Sequence, residues 1–277
     1  CDPGYPGRTK SSRETMIKGV IFDLDGLLVD SEPIQYRCNA TLLAEYGVEY
    51  SDELHPLILG RSLRDGLSIF KKKLGIQADL EEMIRQRDNI LRGSVGEIKL
   101  MLGAKKLLSK LKRAGLKSAV ATSGPRWYLD ALRKTLQLDK YFEAFVSVDE
   151  VKNPKPHPET FLRAARQLAL MPSECVVLED APVGIEAALS AGMKAVAVLH
   201  RFTQPENFPE ADLVVANLSE ITIGLIRSLA EWDILPAVNG RASLPRPSRR
   251  ERAEAGGKAG VQSQKHPSGA GLPPQQL

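Results

Sequence analysis

Cysteine is scarce in this 277-residue chain: Cys1, Cys38 and Cys175 stand far apart, make no pair at metal-ligand spacing and offer no disulfide framework. That usage implies a reducing compartment, and Cys175, at the head of an apolar strand, reads as a packed side chain. Histidines are few, and His157 and His200 share no metal-like spacing, so both read as structural or exposed. No apolar run approaches the length of a membrane span, and no N-terminal stretch joins a basic start to an apolar core as a secretory signal does. A cytoplasmic location with no membrane partner is the expectation. An excess of positive charge is also missing from the bulk of the chain. The net charge is +4, but residues 236–277 hold seven basic side chains against Glu251 and Glu254, which leaves the middle slightly acidic. Nucleic-acid binding by the domain gains no support.

What the chain does have is an ordinary soluble composition, 43% hydrophobic and 26% charged, enough for one large domain or two smaller ones. Its organising stretch is VIFDLDGLLVDSE, Val20 to Glu32. Lys18 to Phe22 has the character of a buried strand, and Gly26 permits a turn directly after Asp23 and Asp25. In an open α/β sheet the carboxyl ends of the strands are where ligands bind, so the two acids are candidates for chemistry. Solvation of a strand end is the competing reading of this short motif.

Residues 1–15 are polar and aperiodic and read as a disordered extension, with Met16 opening the folded part. From Ser31 to about Gly96 three stretches carry apolar residues at helical spacing, which predicts a helical insertion, residues 31–96. Ile34, Leu42, Leu43, Leu63, Leu67 and Phe70 read as its internal packing, and the run Lys71 to Lys73 as a solvated face. From Gly103 helices alternate with strands at 118–122, 145–148, 175–180, 194–198 and 213–215. This rhythm predicts a doubly wound, Rossmann-like α/β core with a parallel sheet, built from residues 16–30 and 97–235. Residues 236–277, rich in Pro, Gly, Ser, Gln and Arg, read as a disordered basic tail that keeps the chain soluble or attracts an acidic partner.

Reading the strand ends together yields more than any one motif. Asp23 and Asp25 follow the first strand, Thr122 and Ser123 the second, Glu179 and Asp180 a later one, and Lys155 lies in NPKPHPE before a helix. A parallel sheet turns all of these toward one crevice. Acids, hydroxyls and a lysine suit a metal-bound phosphate: Mg2+ is commonly held by one or two carboxylates together with phosphate oxygens. Asp23, Asp180 and Glu179 are the anionic candidates, while Lys155, Thr122 and the backbone near Ser123 and Gly124 face the phosphoryl oxygens. A carboxylate nucleophile then divides one hard displacement into two steps, and a second carboxyl exchanges the proton.

These motifs, DLDGLLVDSE, ATSG, the lysine of PKPHPE and LEDAPVGIEAA, occur in the order found in the haloacid dehalogenase superfamily, and the chain resembles its phosphatases and β-phosphoglucomutase relatives with a small helical cap over about Met16 to Leu229. The resemblance implies Asp23 as nucleophile, Asp25 as general acid and base, Thr122 and Lys155 as phosphate ligands, and Mg2+ on Asp23, the Asp25 carbonyl and Asp180 with Glu179 close by. An acid at Asp25 points to phosphate esters, because a departing halide needs no proton.

Four positions depart from the family pattern: Gln35 stands where the mutases carry a histidine that assists their cycle, Pro154 replaces a common glycine and Glu159 a common aspartate without removing a catalytic group, and Leu102 stands where relatives often have proline. Gln35 tilts the expectation from phosphomutase to phosphatase. By resemblance the segment Leu57 to Asp65 is the lid loop, with Arg61, Ser62 and Arg64 as candidates to touch substrate, although Arg64 and Asp65 equally form a local surface pair. The resulting expectation is a monomeric Mg2+-dependent phosphatase acting on a small phosphorylated metabolite such as a sugar phosphate. The alternatives are a β-phosphoglucomutase-like mutase and a non-catalytic protein that binds through its basic tail.

Overall fold

A computed structural model describes residues 16–231. The sequences read above as an extension (1–15) and a basic tail (236–277) lie outside the described residues, as do 232–235. The framework is a six-stranded parallel sheet in the order β5-β4-β1-β6-β7-β8, formed by β1 (Gly19–Phe22), β4 (Lys117–Ala121), β5 (Ala144–Val146), β6 (Cys175–Glu179), β7 (Lys194–Val198) and β8 (Leu213–Val215). The expected α/β architecture is present. β1 lies between β4 and β6, and every residue of its GVIF sequence is buried, as a central parallel strand requires.

Period-two alternation sorts each strand onto two faces. Val20, Phe22, Val120, Val176 and Leu178 enter one core with α4 (Ala104–Arg113), α5 (Arg126–Thr135) and α8 (Ile223–Ser228). The opposite face presents Ile21, Ala119, Ala121, Val177 and Ala195 to α6 (Glu159–Gln167) and α7 (Pro182–Ser190). Small side chains there let Phe161 and Ile185 pack close to the strands.

The register places the chemistry. Phe22 pairs with Val120 on one side and Leu178 on the other, so Asp23 emerges level with Ala121 and Glu179. A two-residue ribbon that periodicity does not reveal, β2 (Val29–Asp30) against β3 (Lys99–Leu100), closes the entrance and exit of the segment between them. That segment holds α1 (Glu32–Ala44), α2 (Leu63–Leu74) and α3 (Leu80–Ser94). Ser62 caps α2 by accepting from Asp65 N at 3.1 Å, Gly75 ends it at φ +69°, and Asp79 caps α3 through Glu82 N at 3.0 Å. Leu42, Leu43, Leu67, Phe70 and Met83 form a separate apolar cluster, while Ile34, Cys38 and Leu91 reach into the core of the sheet. Among the described residues no helix is long and apolar enough to cross a membrane.

Candidate active site

Beyond the carboxyl end of β1, three buried acids meet one buried lysine. Asp23, Glu179 and Asp180 each offer a carboxylate oxygen within 4.8 Å of the others. Lys155 arrives from the loop before α6, and its Nζ donates to Asp23 Oδ1, to Glu179 Oε1 at 2.8 Å and to the Ala121 carbonyl at 3.2 Å. The Phe161 ring lies 4.6 Å from the same nitrogen. Burial opposes the ammonium, but the charges of Asp23 and Glu179 override it and hold Lys155 protonated. Glu179 is already saturated, because its Oε2 accepts from Asp180 N at 2.9 Å and Ala181 N at 2.8 Å. Close packing against α7 fixes it further: a Cβ at Gly184 would lie 1.7 Å from Glu179 Oε1.

Three carboxylates against one ammonium leave the cluster short of positive charge. Burial pushes the Asp23 carboxyl up to about 8 against the pull of Lys155, and burial followed by repulsion from Glu179 and Asp23 raises Asp180 well above its ordinary value. Room for a cation is preserved by Gly26, which turns at φ +75°, and a Cβ there would stand 2.1 Å from Asp180 Oδ2. All-oxygen donors, excess negative charge and a cradle kept clear by glycine fit a hard divalent cation.

Asp25, two residues on, has different surroundings. Its Oδ1 accepts from the Tyr128 hydroxyl at 2.6 Å and from Gln35 Nε2 at 3.1 Å, both neutral donors. Burial raises its pKa, and the Ser31 hydroxyl, followed by Tyr128 and Gln35, draws it back. Behind Gln35 a chain of buried polar groups runs on. Arg87 donates to Gln35 Oε1 and, at 2.7 Å, to Asn39 Oδ1; Asn39 donates to Tyr50 at 3.3 Å; Tyr50 meets His55 Nδ1 at 2.7 Å; and His55 Nε2 faces Glu32. His200, half-buried after β7, places Nε2 3.4 Å from Asp180 Oδ2, and burial lowers its pKa.

Of the residues predicted from sequence, Asp23, Asp25, Thr122, Ser123, Asp180, Gln35, Arg61 and Ser62 all line one cavity of about 140 Å³ between the sheet and the helical segment. Lys155 and Glu179 support it from below through Asp23. Thr122 accepts from Gly124 N at 2.9 Å, so its hydroxyl hydrogen is left to donate into the cavity. Ser123 instead donates to the Gly60 carbonyl at 2.8 Å, and its hydroxyl ties the loop before α2 to the sheet. Leu63, Leu67 and Phe70 combine two roles, packing within the helical segment and lining the cavity.

Arg64 is a correction. It lies on the outward face of the first turn of α2 and makes a two-pronged pair with Glu81 of α3 at 2.6 and 2.9 Å, with more than half of each side chain exposed. Its partner is Glu81 rather than Asp65, which receives the Ser62 hydroxyl at 2.7 Å. Of the two histidines read as structural or exposed, His200 is half-buried against Asp180 of the acidic cluster and His157 is exposed. Reading the sequence missed Tyr128, Arg87, Asn39, Glu32 and His55. For Glu32 and His200 a signal existed, since one sits in the first motif and the other directly follows a strand end.

The haloacid dehalogenase-like hydrolase family profile matches residues 20–198. The phosphorylated carbohydrates phosphatase of Thermotoga maritima is 34% identical over 216 residues, covering 77% of this chain and 100% of its own length. Hexitol phosphatase A of Escherichia coli is 35% identical over 209 residues, covering 74% and 94%. Among solved structures, a β-phosphoglucomutase from Clostridium difficile superposes with a TM-score of 0.71 at 26% identity, over 79% of this chain and 99% of that one.

Proposed function

The chain belongs to the haloacid dehalogenase-like hydrolases, and from that premise we propose that it is a Mg2+-dependent phosphatase that releases phosphate from a small phosphorylated sugar or sugar alcohol by way of an aspartyl-phosphate on Asp23. The observation that carries the reading is one cavity with two carboxylates in opposite surroundings, Asp23 beside an ammonium and Asp25 beside neutral donors. Burial raises both carboxyls, Asp23 to about 8, so it is the charge of Lys155 together with a bound divalent cation that would favour the ionised Asp23 that attack needs, while Asp25, whose contacts are neutral, is left to hold the proton.

Asp23 and Asp180, with the Asp25 carbonyl, would hold the Mg2+, and Glu179 would hold Lys155 in place. When bound, the ion neutralises charge on the phosphoryl group and on the acids around it. Asp23 attacks phosphorus through the oxygen not engaged by Lys155; the three N–H groups of Lys155 go to Asp23, Glu179 and the Ala121 carbonyl, so it acts on the phosphoryl group through its charge, while the Thr122 hydroxyl donates to a phosphoryl oxygen. Asp25 gives a proton to the leaving oxygen and later takes one from the water that breaks the aspartyl-phosphate. We read residues 31–96 as a cap that closes over this chemistry and excludes water, with Arg61, Ser62 and Gln35 on its inner wall.

Phosphate release from a panel of sugar phosphates, nucleotides and phosphorylated acids, in Mg2+ or EDTA, tests the proposal, with Asp23→Asn as control. Metal-dependent release that vanishes in Asp23→Asn supports it. Conversion of β-glucose 1-phosphate to the 6-phosphate without release would favour a mutase. Neither activity, with a partner lost on removing residues 236–277, would favour a binding protein.

A further inference from the structure

We propose that Tyr128 and Gln35 are positioning residues that dedicate one oxygen of Asp25 to accepting hydrogen bonds and so fix Oδ2 as the oxygen that gives and takes the proton. The inference rests on the phosphatase reading above and adds to it an assignment of the reacting atom. Two donors converge on Oδ1, the Tyr128 hydroxyl at 2.6 Å and Gln35 Nε2 at 3.1 Å.

Neither donor can reverse its role. A guanidinium has only donors, so the Gln35 atom that meets Arg87 Nη2 is the amide oxygen, and the amide hydrogens are turned toward Asp25. Gln35 Nε2 also stands 3.5 Å from the Tyr128 oxygen, occupying its acceptor side and directing the phenolic hydrogen to Asp25. A proton on Oδ1 would therefore face two other hydrogens, and it resides on Oδ2.

The anchoring is stiff. Tyr128 is 1% exposed on α5 of the core, Arg87 is 3% exposed on α3, and Asn39 Oδ1 holds the guanidinium at 2.7 Å. No carboxylate lies within ion-pair distance of Arg87 among the described residues, so its hydrogen bonds are made to the neutral groups that orient Gln35.

Two steps use Oδ2. In the first, the Asp23–phosphorus bond forms as the ester oxygen–phosphorus bond breaks, and the Oδ2 proton moves to the departing oxygen. In the second, a water oxygen–phosphorus bond forms as the Asp23–phosphorus bond breaks, and Oδ2 receives the water proton. Ester and water become alcohol and phosphate, and Asp25 is restored.

The test compares two substrates on the full chain in Mg2+. A sugar phosphate leaves as an alkoxide that needs the proton, whereas p-nitrophenyl phosphate leaves as a stable anion. For Tyr128→Phe, loss of one hydrogen bond to a carboxylate is expected to lower kcat on the sugar phosphate by about 10- to 100-fold with KM within about twofold. First-turnover release of p-nitrophenol should fall at least about tenfold less, so the ratio of the two rates shifts. Gln35→Leu should shift the ratio in the same direction, and the double variant should lose less than the product of the single losses, because both residues serve one oxygen. Equal slowing on both substrates, or full additivity, overturns the positioning while leaving the phosphatase reading intact. A wild-type chain that releases phosphate from neither substrate overturns both.

Discussion

In EDTA at pH 8, Asp23→Asn is expected to melt at a higher temperature than the wild-type chain. Asp23 is 5% exposed, Glu179 0% and Asp180 4%, and among the described residues Lys155 is the ammonium that offsets them. Burial raises the Asp23 carboxyl from 3.8 to about 8, so the folded state holds that proton more tightly than the unfolded state does. Stability from a raised carboxyl is fully present below about pH 4 and is lost as pH rises through about 8. The shift is worth at most several kcal/mol, and a domain of this size moves roughly 2–4 °C per kcal/mol, so a gap of about 5 °C or more is expected at pH 8. The asparagine variant lacks the titration, and the gap should close toward pH 4. Mg2+ at a hundred times its Kd would add about 2.7 kcal/mol, raising the wild-type midpoint by roughly 5–10 °C at pH 8 and much less in Asp23→Asn. Thermal unfolding followed by fluorescence across this pH range, in EDTA and in Mg2+, reads both effects. A wild type at least as stable as Asp23→Asn at pH 8 in EDTA, and indifferent to Mg2+, would refute the reasoning.

Lys155→Met should cost about 3–5 kcal/mol in urea unfolding, because it leaves Asp23 and Glu179 buried without their shared cation, and phosphate release should disappear with it. Gly26→Ala places a methyl against Asp180 Oδ2 at a positive φ, so the Mg2+ concentration for half-maximal activity should rise at least about tenfold in a chain that still folds. Arg64→Ala removes an exposed pair on the outer face, and both kcat/KM and Tm should stay at wild-type values.

The sheet was legible because its strands are short apolar runs set between helical stretches, and β1, β4 and β6 end at polar side chains, Asp23, Thr122 and Glu179. Asp23, Thr122 and Asp180 could be read as one site for the same reason: a parallel sheet brings strand ends together wherever they fall in the chain. Side chains delivered by helices were harder to place. Tyr128 sits on the apolar stripe of α5, where an aromatic reads as packing, and only the tertiary fold brings its hydroxyl to Asp25. Arg87, in the highly charged EEMIRQRDNILR, looks like part of a solvated face yet is 3% exposed. Arg64 reverses that error, because proximity to the lid in sequence says nothing about which way the first turn of α2 points. The ribbon of β2 and β3 is too short for any periodicity to show.

The central claim, that Asp23 carries the phosphoryl group between ester and water, is tested most directly by acid-quenching the chain milliseconds after mixing with Mg2+ and a turned-over sugar phosphate, then weighing its peptides. One phosphoryl group on the peptide containing Asp23, absent from Asp23→Asn and from samples in EDTA, is the predicted result. Metal-dependent turnover that persists in Asp23→Asn, with no phosphoryl group on that peptide in the wild type, would contradict the account.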